Sequence, residues 1–524
     1  MLKYLVRLSL IIKDTAMKIT KLKLENFRGY EKETTIDFSD LTVFVGKNDV
    51  GKSTILEALD IFFNGTDACV KLDKDDLNIN ALSRGYNTIK ITVCFKDLPE
   101  KIIIDSTNET TLKQEYLLNE SEELEVSKTI IAGGKTKINI RALHPTNLAC
   151  SDLLSKKQSD LKMIIKSRNI ACENQTKNAV MRSAIWDFFK DELQLKLIDI
   201  DANSAGSAKD IWEGLQKYLP LYTLFQADRK NCDNDSEVQD PLKQALREIL
   251  ADENIKDDLL RIENQIKSKL SEVSNRTLTK LQEISPVQAQ SLSPAIPNVK
   301  WTEAFKNLSI CGDNNIPINK RGSGIKRLVL LSFFMAEADK RVAGGNYTSV
   351  IYAIEEPETS QHSANQFKLI DSLRTLANAD NTQIILTTHS ANIVKKLDFS
   401  DLRLIRDVNN EKKVENVMES NLPYPSLNEV NFIAFEELSE EYHNELYGYI
   451  EGNGYKQEFM QEQSLIPYKR LLNGEEQIID TILSTFIRHQ IHHPENNLNP
   501  RFSRRDLQNS IKLMRDFITK KRNL

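Results

Sequence analysis

Residues 46–53 read Gly46-Lys47-Asn48-Asp49-Val50-Gly51-Lys52-Ser53, with Thr54 next, and this stretch decides the fold. It fits G-x-x-x-x-G-K-[ST], in which the glycines let backbone N–H groups turn inward on a phosphate chain. The apolar run Leu41–Val45 leads in, and the helical pattern Ser53–Phe63 leads out. A strand, a tight turn and a helix in that order set a helix N-terminus, with its partial positive charge, against the phosphates. Lys52 is expected to reach the outer phosphates, and the Ser53 hydroxyl to ligate Mg²⁺. An ordinary glycine turn between strand and helix would not need Lys52-Ser53 directly after Gly51.

About 300 residues later the chain reads Val350-Ile-Tyr-Ala-Ile354, then Glu355-Glu356-Pro357-Glu358. The apolar run suits a buried parallel strand. A carboxylate at its end, Glu355, suits a Mg²⁺ contact. The next, Glu356, is placed to polarise a water attacking the terminal phosphate. Taken alone, such a stretch is as often a solvated acidic loop. Paired with the phosphate loop, it reads as catalytic.

Two further segments complete a pattern. Asn319-Lys-Arg-Gly322-Ser323-Gly324-Ile-Lys-Arg327 precedes an apolar helix, and Gln383-Ile-Ile-Leu-Thr-Thr-His389-Ser390 reads as a strand ending in a histidine. The order phosphate loop, glycine-rich segment, acidic pair, histidine resembles that of ABC-type ATPases. The opening Ile19-Thr-Lys-Leu-Lys-Leu-Glu-Asn-Phe-Arg-Gly29 resembles the first strand of the RecF, SMC and OLD-type members, and the likeness covers about residues 17–410. A narrower resemblance is to stand-alone ATPases of bacterial anti-phage systems of the Septu (PtuA) and PARIS kind. The resemblance implies an α/β ABC-type P-loop head with an antiparallel β lobe. It implies ATP and Mg²⁺ as cofactors, Gly322, Ser323 and Gly324 as signature donors, and His389 as a switch histidine. It also implies a homodimer that sandwiches ATP, and a partner effector nuclease controlled by it. A RecF-like DNA-repair ATPase is an alternative. The signature departs from the family's LSGGQ, reading RGSGIKR.

The chain has 524 residues, room for several domains, and a net charge of −5. So small a net charge excludes a globally basic nucleic-acid coat protein; any DNA or RNA contact needs a local patch. Six cysteines lie scattered without paired spacing, which favours reduced cytoplasmic thiols over a zinc site. No apolar run approaches the ~18 residues of a membrane span. Residues 1–16 are read as an extension and not as a signal peptide, because Arg7 interrupts the apolar stretch and no small-residue cleavage site comes after it.

The expected organisation is a first head segment over 17–240, a helical insertion over 241–297, a second head segment over 298–424 and a helical C-terminal domain over 425–524. Thr88–Phe95 and Lys137–Arg141 alternate as half-buried strands, with Gly133-Gly134 expected between hairpin arms. From Pro241 to about Ile284 the period is helical. The stretch Phe225–Gln239 reads as a generic surface loop. No Asp-x-Asp occurs after residue 410, which argues against a Toprim nuclease.

The last hundred residues read as an all-α bundle, with helices near 428–451, 455–471, 474–492 and 503–520. Three of the seven histidines fall within Phe486–Asn496. There Arg488 and His493 resemble the R-x-x-x-x-H motif of HEPN domains, helical bundles often active as RNases. From Thr485 onward the tail carries nine Lys or Arg against three acids, a patch suited to phosphate. Two readings stay open: an ATP-gated RNase using Arg488 and His493, or a helix end where histidines cap carbonyls and Pro494 stops the helix.

Overall fold

The computed structural model describes residues 16–524 except 105–108, 132–135, 203–206, 227–248, 251, 285–322, 344–346, 409–410, 419–421, 423, 473 and 523–524. The chain forms two compact units, one of residues 1–227 with 335–524 and one of 228–334. The expectations for 1–15, for the loop after Gln226, for Gly133-Gly134 and for Asn319–Gly322 lie outside the described residues.

Two six-stranded sheets build the larger unit. The first is antiparallel, with β1 (Lys18–Glu25) between β2 (Thr34–Asp37) and β4 (Thr88–Lys96), continued by β7 (Leu124–Ile131), β8 (Lys137–Pro145) and β9 (Leu195–Asp201). The short strands β5 (Ile102–Ile103) and β6 (Glu109–Thr110) pair separately. This is the expected β lobe, but Ile91–Phe95 of β4 and Ile138–Ile140 of β8 are continuously buried where half-buried alternation is expected from the sequence, because residues on both faces of these strands are covered.

The second sheet runs in the order β10 (Leu221–Phe225), β11 (Val350–Glu355), β12 (Thr382–Thr388), β3 (Leu41–Val45), β13 (Leu402–Val408), β14 (Glu411–Asn416). Its first five strands are parallel, and β14 closes the edge antiparallel to β13. Every residue of β3 and β12 is buried, the polar Thr42, Thr382, Gln383, Thr387 and Thr388 included, as strands of a parallel sheet covered on both faces are. The head is therefore assembled from distant segments of the chain.

Helix α1 (Lys52–Asn64) lies between the sheets and buries Ile55, Leu56, Leu59, Ile61 and Phe62. Phe62 meets Phe95 of the antiparallel sheet at 6.2 Å, while Phe63 stacks on Tyr222 of the parallel sheet at 5.3 Å. Gln383 ties the two layers further: its amide accepts from Ile19 N and donates to Ile19 O, both at 2.9 Å. The helix that leaves the phosphate loop is thus held from both sides by a single apolar core.

In the smaller unit, α2 (Glu253–Ile284) is one continuous helix where the sequence has its helical period. Helix α3 (Ser323–Ala343) begins at the glycine-rich segment.

The C-terminal module departs from an all-α bundle. Its helices are α6 (Leu427–Phe435), α7 (Glu440–Gly452), α8 (Lys456–Gln461), α9 (Leu483–His492) and α10 (Arg504–Arg522), coming after α4 (Ser363–Ala377) and α5 (Ala391–Val394) of the head. Between α8 and α9 stands an antiparallel hairpin, β15 (Leu465–Leu472) with β16 (Glu475–Ile482), in place of the expected helices. The reason is local. Asn473-Gly474 between two strand-length runs is a two-residue hairpin signal, Gly474 has φ +87°, and Pro467 would interrupt a helix. The expected helix over 428–451 is also broken. Glu436 ends α6 in the left-handed region, and Ser439 caps α7 by accepting from Tyr442 N. Among the described residues no helix is long and apolar enough to cross a membrane.

Candidate nucleotide site

Register brings the motif residues together. In the parallel sheet Glu355 pairs with Thr387, and Thr388 pairs with Val45. The carboxyl ends of β11, β12 and β3 are therefore flush. The residue after each strand must emerge at one edge, where ligands of open parallel sheets bind. Those three residues are Glu356 after β11, His389 after β12 and Gly46 after β3.

The loop itself needs its glycines. Gly46 has φ +156°, and a Cβ there would lie 2.6 Å from the Ile405 carbonyl oxygen. Gly51 has φ +102° and caps α1, with the Tyr30 hydroxyl 3.3 Å from where a Cβ would stand. Tyr30 also donates to Gly51 O at 3.2 Å, bracing the turn. Asp49, too, is left-handed, at φ +59°. Lys47, Asn48 and Asp49 are exposed, Val50 is buried, and Ser53 and Thr54 are half-buried at the helix start.

Lys52 is buried, and its Nζ donates to Gly46 O at 2.8 Å and Lys47 O at 2.7 Å. Burial pushes its pKa down to about 8, although Glu356, Asp49, Glu358 and Glu355 pull the other way. The same ammonium lies 3.3 Å from His389 Nδ1. An ammonium only donates, so Nδ1 is the acceptor and the ring proton falls on Nε2. Nε2 pairs with Glu356 Oε1. Ser53 Oγ donates to Glu355 Oε1. A hydroxyl and a carboxylate meeting at one spot are hard oxygen donors, a set whose chemistry would suit Mg²⁺, and Ser53 and Glu355 are the residues that would hold it.

Glu356 sits at φ +42°, immediately before Pro357, a conformation unfavourable for a side-chain-bearing residue. It is held there by its N–H, which reaches Thr387 O at 3.1 Å and Thr387 Oγ1 at 3.2 Å. Such strain is retained where the surroundings over-determine it, commonly at functional sites.

One acid that motif reading leaves without a role is built into this site. Glu358 is buried, and its Oε1 accepts from Thr388 Oγ1 at 2.6 Å and from His389 N at 2.9 Å. The signal is present in Glu355-Glu356-Pro357-Glu358, where the third acid comes after the proline.

The remaining candidates belong to other elements. Gly322 is outside the described residues, and Ser323 and Gly324 open α3 in the smaller unit. In the C-terminal module the Arg488 guanidinium stacks 4.4 Å over the Tyr447 ring and pairs with Glu451 at 3.2 Å. His493 succeeds the last turn of α9 as its C-cap, exposed, with Nδ1 3.1 Å from Glu495 Oε1. Arg488 is thus engaged by α7, while His493 stands beyond the helix end. Among the described residues no cluster of three or more His, Cys, Asp or Glu is arranged to hold a metal ion.

The module reaches the nucleotide edge. Lys47 of the phosphate loop pairs with Glu436 at the end of α6, Asn431 Nδ2 donates to Ala391 O at 3.1 Å, and Lys395 pairs with Glu441. Helix α5, which these contacts flank, begins directly after His389-Ser390.

A strand edge carrying a glycine loop, a buried lysine, paired acids and a histidine defines a P-loop ATPase. The family model described as AAA ATPase domain matches residues 17–394, and the chain belongs to that family. Over 119 residues it is 33% identical to an uncharacterized protein of Methanocaldococcus jannaschii, covering 22% of this chain and 32% of that one. Over 106 residues it is 33% identical to the DNA double-strand break repair Rad50 ATPase of Methanosarcina mazei, covering 20% of this chain and 9% of that one. The matches thus span about a third of the first relative and under a tenth of the second. Among solved structures, the SMC head domain from Thermotoga maritima is 15% identical, with 76% of this chain and 99% of that chain covered and a TM-score of 0.31. An Smc head domain with an extended coiled coil, bound to the C-terminal domain of ScpA and derived from Pyrococcus furiosus, is 16% identical, covering 76% and 96%, with a TM-score of 0.33.

Proposed function

We propose that this ATPase hydrolyses ATP with Mg²⁺ at the edge formed by Lys52, Ser53, Glu355, Glu356 and His389. The carrying observation is the flush ending of β11, β12 and β3, which sets five chemically matched groups side by side. Lys52 and the loop N–H groups neutralise phosphate charge. Ser53 and Glu355 would hold the metal, which would supply positive charge against the phosphates. Glu356 accepts a proton from the attacking water, and His389 orients that carboxylate. Gly322, Ser323 and Gly324 complete the site from a second copy, so that ATP favours a homodimer by mass action.

On this reading turnover controls a partner effector, a nuclease, in bacterial anti-phage defence in the cytoplasm. Support comes from the resemblance in motif order and from the contacts of α6 and α7 with Lys47 and α5, which give the tail a route to sense the site. A second reading, a DNA-stimulated repair ATPase, is favoured by the Rad50 match. The engagement of Arg488 by Tyr447 and Glu451 gives the RNase alternative no comparable support.

The test is Glu356→Gln with radiolabelled ATP. The variant should bind ATP as the parent does and lose turnover by roughly 100-fold or more. It should also accumulate as a dimer in sizing experiments with ATP. Turnover at the parent rate would remove Glu356 as the water-activating group. Stimulation by duplex DNA in the absence of any protein partner would move the assignment to repair.

A further inference from the structure

We propose that Glu358 is a positioning residue for the hydrolytic step, acting through His389; this rests on the ATPase reading above. The geometry is specific. Glu358 comes two residues after Glu356, and its carboxylate reaches across to the end of β12. One oxygen, Oε1, takes both the Thr388 hydroxyl at 2.6 Å and the His389 N–H at 2.9 Å. The peptide that carries the histidine is therefore fixed by a buried carboxylate. The other oxygen, Oε2, is buried without a hydrogen-bond partner among the described residues.

A buried carboxylate with an unpaired oxygen costs free energy, and a fold that retains one calls for an explanation. Here the explanation is orientation. The His389 ring must present Nδ1 to Lys52 and Nε2 to Glu356 at once, and a ring on a free strand end would rotate out of that bridge. Ser390, next in the chain, is also held: its N–H reaches Thr388 Oγ1 at 3.0 Å, and its hydroxyl reaches Gln366 Oε1 at 3.0 Å. The Thr388-His389-Ser390 turn is thus anchored on both sides of the ring. Glu358 is the charged anchor, linking the segment after β11 to the end of β12. The two segments that carry the water-activating acid and its histidine are thereby locked in register by a third acid.

The prediction separates orientation from bulk stability. Glu358→Ala should lower kcat about tenfold or more while KM for ATP stays within about twofold, because ATP contacts are left intact. Glu358→Gln keeps a carbonyl oxygen at Oε1 that accepts both bonds, and should stay within about threefold of the parent. In the His389→Ala background Glu358→Ala should add no further loss, since its effect passes through the ring. A Glu358→Ala loss that multiplies with that of His389→Ala, a Glu358→Gln as damaged as the alanine, or parent-like turnover in Glu358→Ala would each overturn the role. Should the alanine variant fail to fold, Glu358→Asp carries the same comparison, because it retains the charge but withdraws it by one methylene. The outcomes also separate this role from the reading beneath it. A full-length parent without ATP turnover, indifferent to Lys52→Ala, overturns the ATPase reading and this role with it. A parent that depends on Lys52 but is indifferent to Glu358 overturns this role alone.

Discussion

At the carboxyl edge of the parallel sheet Lys52, Glu356 and His389 face one another, and Ser53 meets Glu355, with the groups only partly closed off from solvent. In the C-terminal module two ionisable groups, Glu429 and His443, are turned inward instead. Glu429 is fully buried, and both of its oxygens lie 3.1 Å from Arg515 Nε. His443 is fully buried, its Nε2 3.0 Å from Ser510 Oγ, whose hydroxyl donates to Ser484 Oγ at 2.7 Å. The head places polar groups at a strand edge where a substrate can replace their present partners. The module places them inside a small core, where each satisfied bond specifies one packing and the loss of one leaves a buried group unpaired. The same residue types therefore carry opposite expectations on substitution. In the head, function should fall and stability hold; in the module, the reverse.

The largest effect should come at Lys52. Lys52→Ala removes a side-chain cation buried against the phosphate loop, and ATP affinity should fall by roughly 100-fold or more in equilibrium binding. Stability should hold. The folded-state pKa of about 8 lies below the ordinary value of 10.5, so the unfolded chain binds this proton more tightly. The group penalises folding below about pH 8, and the penalty is relieved as pH rises from there toward 10.5. At pH 7 the variant's thermal midpoint should match or exceed the parent's. A large drop in that midpoint would mean Lys52 is a structural residue, and the contrast between the two regions would fail.

Legibility divides along the same line. The meeting of Gly46, Glu356 and His389 at one sheet edge can be read because each comes directly after a strand-length run, and parallel pairing leaves one way to align the ends. Glu358 escapes because its role depends on which way a carboxylate turns after Pro357, a property of packing. The β lobe is legible from alternation at Thr88–Phe95 and Lys137–Arg141. In the tail the helical period around Tyr442, Leu446 and Ile450 is legible, but the hairpin is hidden. Leu465–Leu472 and Glu475–Ile482 contain apolar residues at spacings a helix can also use, and they mask the Asn473-Gly474 turn and Pro467. The partners of Arg488, Tyr447 and Glu451, lie on another helix, so its packing role cannot be read from the R-x-x-x-x-H spacing.

A second, smaller effect sharpens the module's side. Burial, with the Arg488 charge behind it, pushes the His443 pKa down to about 4. The unfolded chain thus binds more protons between about pH 4 and 6.5. The stability from keeping this ring neutral is fully present above 6.5 and is lost as pH falls toward 4, roughly 3 kcal/mol over the window. His443→Gln keeps an N–H for Ser510 and does not titrate. Its thermal midpoint should change less between pH 7 and pH 4.5 than the parent's, even if it starts lower. Equal slopes in parent and variant would show that other groups govern acid unfolding.

The smallest effects should separate Arg488 from His493, and they bear on whether the tail belongs with the head after all. Arg488 is partly buried, lies 4.4 Å over Tyr447 and pairs with Glu451, so Arg488→Ala should cost about 1 kcal/mol. His493 is exposed beyond the end of α9 beside Glu495, so His493→Ala should change stability by less than about 0.5 kcal/mol. A structural pair behaves that way, with unequal costs set by packing and no change in RNA handling. A catalytic pair would behave differently, because both substitutions would abolish cleavage regardless of their cost to the fold. Thermal unfolding of the two variants, run beside an RNA-integrity assay of the purified parent with and without ATP, distinguishes the cases. If the parent leaves RNA intact and only Arg488→Ala shifts the midpoint, the basic residues of α9 belong to the module's packing. RNA cleavage by the parent that disappears in His493→Ala at unchanged stability would place a second reactive site in the tail and collapse the contrast.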